Sequence, residues 1–249
     1  MNAHAVRAAA IALTIMLGPV SAEAAEVAFF CSNALKAVIE ELAPQFEKST
    51  KHKLTITYGS TNPLKARIVK GEGFDLTILG EAAIDDLVKQ GNLVAATRVV
   101  VARSALGVAI RKGVAKPDIS TTEAFKRTLL DAKSIAYLPD GLTGTYLQVL
   151  FQRLGIAESM QPKYKNARGA EAVASGEAEL GVTQISEILY QTGTELVGPL
   201  PSEIQNYTNF PAAISTGAKQ ADAAKALLNY LASSDSARVL RARGLEPPS

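Results

Sequence analysis

Short apolar runs alternate with segments of helical period along the first part of this chain, and this alternation limits the possible fold more than any other feature. The runs cover residues 27–30, 54–58 and 75–79, and apolar residues recur three and four positions apart after each of them. Parallel strands need long crossover connections, and these connections are usually helices. We therefore predict an α/β fold, in which mixed and mostly parallel sheets are flanked by helices.

The pattern continues after residue 104, where a second unit begins. The further predicted strands and the two closing helices cover residues 106–110, 135–138, 180–183, 196–200, 223–231 and 235–243. The roughly 225 residues that follow the N-terminal segment suit either one large domain or two compact lobes.

Three local signals predict where helices begin, bend or bury a side chain. Pro44 lies within the first helical segment and should kink or divide that helix. Asn62 followed by Pro63 predicts a helix start with Asn62 as its cap. The run Ser120-Thr121-Thr122-Glu123 is typical of a capping box, and we expect Leu130 on the buried side of the helix that follows.

Residues 1–24 are predicted to be a secretory signal peptide. Arg7 supplies the positive start, residues 8–17 are almost entirely apolar, and small residues precede possible cleavage after Ala22 or Ala24. This apolar stretch has roughly ten residues, whereas a membrane span needs about 20. We therefore expect the chain to be exported to the periplasm and released there.

Charge and motif content exclude several functional classes. Lysine and arginine total 26 against 24 acidic residues, and no basic cluster is interleaved with aromatics, so nucleic acid is not expected as a partner. Cys31 is the only cysteine, which rules out an internal disulfide. The common metal, nucleotide and nucleophile motifs are absent, so we expect no metal and no cofactor.

Uncharged hydrogen-bond donors gather where predicted strands run into helices. The candidate ligand-binding residues at these junctions are Ser32, Asn33, Ser60, Thr61, Asn62, Thr143, Gly144, Thr145 and Gln184. The first turn of a helix leaves backbone N–H groups unpaired beside a positive dipole end, which favours anions. The alternative interpretation is that each hydroxyl only caps its own helix.

Several motifs resemble the periplasmic solute-binding proteins of type II topology, in particular the molybdate-binding branch that serves ABC importers. The matching segments are Ser32-Asn33-Ala34-Leu35, Tyr58-Gly59-Ser60-Thr61, Leu142-Thr143-Gly144-Thr145-Tyr146 and Gly176-Glu177-Ala178-Glu179-Leu180-Gly181. The resemblance implies two lobes, residues 25–103 plus 208–249 and residues 104–207, which close on a small anion in the cleft between them. It also implies a membrane permease as partner and a monomeric protein.

Two departures from the molybdate-binding pattern affect the predicted ligand. Gln184 stands where that branch has a tyrosine, so a phenol donor is replaced by a carboxamide. Arg168 lies in a loop one residue shorter than the branch has, where it could clamp a carboxylate with two hydrogen bonds. The alternative for Arg168 is a solvated arginine at a helix end.

Residues 116–120, 181–187 and 244–247 are similar to a subgroup that includes periplasmic aconitate isomerases. That resemblance implies a second hypothesis, in which the same cleft moves a double bond within a tricarboxylic acid. The sequence does not name the base, because Asp75, Glu81, Tyr58 and Tyr146 all have ordinary structural interpretations. We therefore predict a binding protein for a molybdate-type oxyanion or an organic polycarboxylate, with isomerase activity as the alternative.

Overall fold

A computed structural model describes residues 24–248, and the predicted signal peptide lies outside these residues except for Ala24. The strands are β1 (Glu26–Ser32), β2 (Lys53–Gly59), β3 (Leu76–Ile78), β4 (Val99–Arg111), β5 (Ile135–Tyr137), β6 (Tyr164–Asn166), β7 (Leu180–Gln184), β8 (Thr194–Pro199) and β9 (Tyr207–Ile214). The helices are α1 (Lys36–Thr50), α2 (Thr61–Val69), α3 (Glu81–Lys89), α4 (Thr122–Asp131), α5 (Leu142–Arg153), α6 (Ala157–Met160), α7 (Gly169–Ser175), α8 (Ile185–Tyr190), α9 (Ala221–Leu231) and α10 (Ser234–Ala242). Among the helices of this part of the chain, none is long and apolar enough to cross a membrane.

The predicted α/β fold is confirmed, and its strands follow the order β2-β1-β3-β9-β4-β7-β5-β6, with β8 also paired to β4. Pairing is parallel within the β-α-β units, where β1 lies between β2 and β3 and β5 lies between β6 and β7. It is antiparallel where the two long strands β4 and β9 meet each other and their neighbours. The first half of β4 pairs with β9, and its second half pairs with β7 and β8.

Two main groups of buried side chains form on either side of this long strand. Lobe I is defined here by the core that runs from Val27 to Ala102 and resumes at Phe210, and lobe II by the core between Leu106 and Ile204. The fold is therefore two-lobed. We propose the exact lobe boundaries at 103/104 and 207/208, within the intervals where one core gives way to the other.

Helix α1 shows why an interior proline is tolerated at this position. The helix runs without a break from Lys36 to Thr50, so Pro44 does not divide it. Its buried stripe includes Val38, Leu42 and Phe46, whereas Pro44 is exposed. On the solvent side, water can take the place of the N–H group that proline lacks.

Two other local predictions need correction. Helix α2 begins at Thr61 with Ser60 as its cap residue, and Asn62 instead donates its side-chain amide to the carbonyl of Asp140 in lobe II. Pro63 still falls in the first turn, where its missing N–H costs nothing. Leu130 is 37 % exposed, so the buried side of α4 does not include it.

Asp75, just before β3, joins three separate parts of lobe I. One carboxylate oxygen accepts from the Ala28 N–H at 2.8 Å. The other accepts from Lys219 and Gln220 at 2.7 and 2.9 Å, at the start of α9. The residue is buried, so water cannot replace these bonds. Asp75 is therefore a structural acid, as its position next to a strand indicated.

Replacing Asp75 with alanine should lower the free energy of unfolding by about 2–4 kcal/mol, because three backbone N–H groups lose a charged acceptor. Urea denaturation measures the change, and Asp222→Ala on the exposed first turn of α9 is the matched control. A loss for Asp75→Ala no larger than the control's would contradict this role.

Candidate functional site

Three strand-to-helix junctions carry the predicted hydroxyl donors. At the end of β1, Ser32 accepts from the Ala34 N–H at 3.4 Å, a weak capping bond. At the start of α2, Ser60 makes no side-chain capping bond, and Thr61 accepts from the Gly80 N–H at 3.1 Å. Gly141 precedes α5 and has no side chain to cap it. Capping alone therefore does not account for the hydroxyl groups at these junctions.

The junctions converge on one cavity of about 260 Å³ between the lobes. Seven of the ten residues predicted to bind the ligand line it, namely Ser32, Asn33, Ser60, Thr61, Thr143, Arg168 and Gln184. Ser32, Thr61 and Gln184 are themselves buried. Polar groups from distant parts of the chain, contributed by both lobes, thus surround one space.

The other three predicted residues do not line the cavity, and they make contacts within the elements that surround it. Asn62 bonds to the carbonyl of Asp140, which joins α2 of lobe I to the loop before α5. The hydroxyl of Thr145 donates to the Gly141 carbonyl at 3.0 Å within its own helix. Gly144 lies so close to the Leu138 carbonyl that a Cβ atom would come within 2.0 Å of its oxygen.

Two cationic side chains line the cavity, one from each lobe. Arg168 precedes α7 and pairs with Glu171 at 2.6 Å, with part of both side chains exposed. Lys36 opens α1 in lobe I, and its ammonium donates to the Tyr190 hydroxyl of lobe II at 2.7 Å and also pairs with Glu40. The cavity can therefore present positive charge to a ligand from two sides.

Several polar lining residues were not predicted from the sequence, among them Lys36, Glu171, Tyr190 and, on α8, Glu187. Burial among protein groups raises the pKa of the Glu187 carboxyl, and the Thr183 hydroxyl and Arg168 oppose that rise. The Thr183 hydroxyl donates a short hydrogen bond to this carboxyl. A carboxyl with a raised pKa inside a cavity keeps its proton to higher pH than an exposed carboxyl does, which suits it to general acid-base chemistry. From sequence alone it was one more acid in a first helical turn.

Gln184, which also lines the cavity, has a side-chain oxygen without a hydrogen-bond donor among the described residues. Its amide nitrogen donates to the Thr208 hydroxyl at 3.3 Å. Because the residue is buried, an unpaired amide oxygen is costly unless a ligand supplies a donor.

The remaining candidate acids and phenols have structural roles. The Tyr146 hydroxyl donates to the Ile204 carbonyl at 2.6 Å, and Glu81 accepts from Arg98 and Asn209. Burial raises the pKa of Tyr58 and of the Cys31 thiol, which keeps both groups protonated. None of these four side chains lines the cavity.

Comparison with known proteins identifies the family of this chain. The family of bacterial extracellular solute-binding proteins matches residues 27–246. An aconitate isomerase of Pseudomonas sp. is 36 % identical over 225 residues, which cover 87 % of this chain and 86 % of that protein. The molybdate-binding protein ModA of Azotobacter vinelandii is 28 % identical over 244 residues, which cover 94 % and 95 % of the two chains.

A solved structure agrees with the two-lobed architecture. The periplasmic molybdate-binding protein of Azotobacter vinelandii superposes with a TM-score of 0.72 at 23 % identity, covering 90 % of this chain and all of that one. The family match and the sequence identity to the molybdate-binding protein, together with this shared fold, confirm the resemblance to the type II, molybdate-binding-like branch.

The raised pKa of Glu187 predicts a pH-dependent stability. Its carboxyl ionises near the ordinary value of 4.5 in the unfolded chain and at higher pH in the fold. Between these two values the unfolded chain has lost the proton that the folded protein keeps. The contribution to stability therefore falls as pH rises, by at most about 1.4 kcal/mol per pH unit.

Glu187→Gln removes this titration, so its free energy of unfolding relative to the wild type should increase as the pH rises above the ordinary carboxyl value of 4.5. Urea denaturation at increasing pH measures the difference. Glu158→Gln, an exposed acid outside the cavity, serves as the control. A constant difference between Glu187→Gln and the wild type would contradict the assignment.

Proposed function

Because this chain belongs to the bacterial extracellular solute-binding proteins, we propose that it captures a small organic polycarboxylate in the cavity between its lobes and delivers it to an ABC importer. One observation carries the proposal: cations from both lobes and uncharged donors from three helix starts line a single cavity. Carboxylates at different ends of one molecule can then contact Lys36 and Arg168 at the same time.

The composition of the lining favours an organic acid over a tetrahedral oxyanion. Leu138, Leu142, Val182 and Phe210 supply apolar contacts that suit a carbon skeleton. If each oxygen takes the space of one water molecule, about 30 Å³, a tetrahedral oxyanion fills roughly 120 Å³. That is less than half of the cavity of about 260 Å³.

A ligand held from both sides explains how capture would be signalled. Its contacts with Ser32 and Thr61 lie in lobe I and its contacts with Thr143 and Arg168 in lobe II, so the full set exists only when the lobes are closed. Ligand binding then increases the fraction of closed protein, to an extent set by the ratio of the ligand's affinities for the closed and the open state. We propose that the importer recognises this closed form and that the receptor acts as a monomer.

Export to the periplasm is part of the same proposal. Residues 1–24 have the charge, apolar length and small residues of a signal peptide. The match of this chain to the bacterial extracellular solute-binding proteins supports this location.

Ser32→Ala and Thr61→Ala should each weaken binding of a tricarboxylate by about 1 to 3 kcal/mol, because a buried donor to an anion is lost. Isothermal titration of the mature protein with citrate or trans-aconitate measures the change. Thr145→Ala removes a hydroxyl from the exposed side of a cavity helix and should leave affinity unchanged.

Thermal-shift screening of citrate, both aconitates, molybdate, tungstate and sulfate tests the ligand class. We expect the tricarboxylates to raise the melting temperature more than the inorganic anions do. Stabilisation by molybdate or tungstate alone would refute the organic ligand. In the titration, affinities of Ser32→Ala and Thr61→Ala equal to that of Thr145→Ala would refute the site.

Isomerisation of an unsaturated tricarboxylate is a second candidate, favoured by Glu187. Moving a double bond requires a base that removes a proton from the carbon beside a carboxylate and returns it to the other end of the three-carbon unit. The Glu187 carboxylate would take that proton and its acid form would give it back, so no electrons are gained or lost overall. Lys36 and Arg168 would stabilise the negative charge that spreads over the substrate in between.

Incubation of the mature protein with cis-aconitate or trans-aconitate, with both isomers separated by chromatography, tests this candidate. If the protein turns over, Glu187→Gln should reduce kcat by about 10²- to 10⁴-fold, the usual contribution of a general acid-base group. Glu171→Gln, at the same cavity, should retain most of the turnover. If the wild type binds aconitate without converting it, the isomerase candidate is rejected and only the receptor function remains.

A further inference from the structure

We propose that Tyr190 is a positioning residue that holds the ammonium of Lys36 at the cavity only when α8 of lobe II lies against α1 of lobe I. The ligand's cationic contact in lobe I would then depend on lobe closure. This inference rests on the proposed function, because it concerns how the same cavity assembles its ligand contacts.

Lys36, Glu40 and Tyr190 form a closed set of contacts across the two lobes, called here the interlobe triad. The Lys36 ammonium donates to the Tyr190 hydroxyl at 2.7 Å, and that hydroxyl donates to a Glu40 carboxylate oxygen at 2.8 Å. Lys36 also pairs with Glu40 one turn along α1. The Tyr190 hydroxyl thus uses both its donor and its acceptor capacity on lobe I.

Two aromatic rings hold the same ammonium. Its nitrogen lies 5.3 Å from the centroid of Tyr58 in lobe I and 4.8 Å from the centroid of Tyr190 in lobe II. Both distances are within the range of a cation–π attraction. Opening the lobes would remove one ring and one hydrogen bond together.

The chemistry of an ammonium group explains why this position matters for a ligand. Lys36 has three N–H donors, of which Glu40 and Tyr190 take two, so one is left for an anion in the cavity that Lys36 lines. Without Tyr190, the pairing with Glu40 alone would draw the side chain along the exposed surface of α1. A cation is also disfavoured at the first turn of a helix, so it needs such support.

The contacts of the triad are weak enough to be reversible. The side chains of Lys36 and Glu40 are 31 % and 42 % exposed, so solvent screens their attraction. Tyr190 is 43 % exposed. Such contacts bias the position of Lys36 without fixing the lobes permanently in one arrangement.

A double-mutant cycle on Lys36 and Tyr190 tests the proposal, with trans-aconitate as the probe in isothermal titration. Tyr190→Phe keeps the ring and removes the hydroxyl, and we expect it to weaken binding about three- to tenfold. Lys36→Met should weaken binding about tenfold or more. If Tyr190 acts through Lys36, the double variant should bind no more weakly than Lys36→Met alone.

Tyr207→Phe is the matched control, because Tyr207 is an equally exposed tyrosine that contacts Arg103 rather than the cavity. It should leave affinity unchanged. The positioning role would be overturned if the fold-loss of affinity in the double variant equalled the product of the two single losses. An unchanged affinity in Tyr190→Phe would also overturn it.

Small-angle X-ray scattering without ligand separates failure of this inference from failure of the proposed function. We expect Tyr190→Phe to increase the radius of gyration relative to the wild type and to Tyr207→Phe, because the lobes lose a shared contact. Equal radii would overturn the link to closure, even if the wild type bound no tricarboxylate at all. Failure of wild-type binding with an enlarged Tyr190→Phe protein would instead refute only the proposed ligand.

Discussion

The strand β4 is the constraint on which the two-lobed structure depends. Its first half is paired with β9 in the lobe I sheet, and its second half is paired with β7 and β8 in the lobe II sheet. One continuous strand therefore belongs to both sheets and joins the two lobes. The helix starts that follow β1, β2 and β5 consequently meet at one cavity instead of forming three separate anion sites.

The two lobes contribute different chemistry to that cavity. Lobe I supplies buried hydroxyl groups and Lys36, whereas lobe II supplies Arg168, Gln184 and Glu187. A cavity with only neutral donors suits a compact oxyanion, but this one also holds a carboxyl whose pKa is raised by burial. An anion bound beside Glu187 would raise that pKa further and so favour the protonated form, which can donate to the ligand.

Local patterns in the sequence predict most of the elements, and long-range contacts explain what they miss. The alternation of residues 27–91 predicts β1 to β3 and α1 to α3, since apolar residues recur in these segments with the period of a strand or of a helix. Strand β9 and the first half of β4 depend on pairing with each other across about a hundred residues. The role of Glu187 is hidden for a related reason, because the fold and not the local sequence decides whether a carboxyl in a first helical turn is desolvated.

Helix α8 joins the chemistry of the cavity to the arrangement of the lobes. Glu187 and Tyr190 lie three residues apart on this helix, so they share one face, and α8 packs against α1 and against residues 33–35 of lobe I. Moving α8 away from lobe I would release Lys36 from Tyr190. One short helix therefore carries both the carboxyl with the raised pKa and the hydroxyl that holds Lys36, so a movement of α8 would displace both groups together.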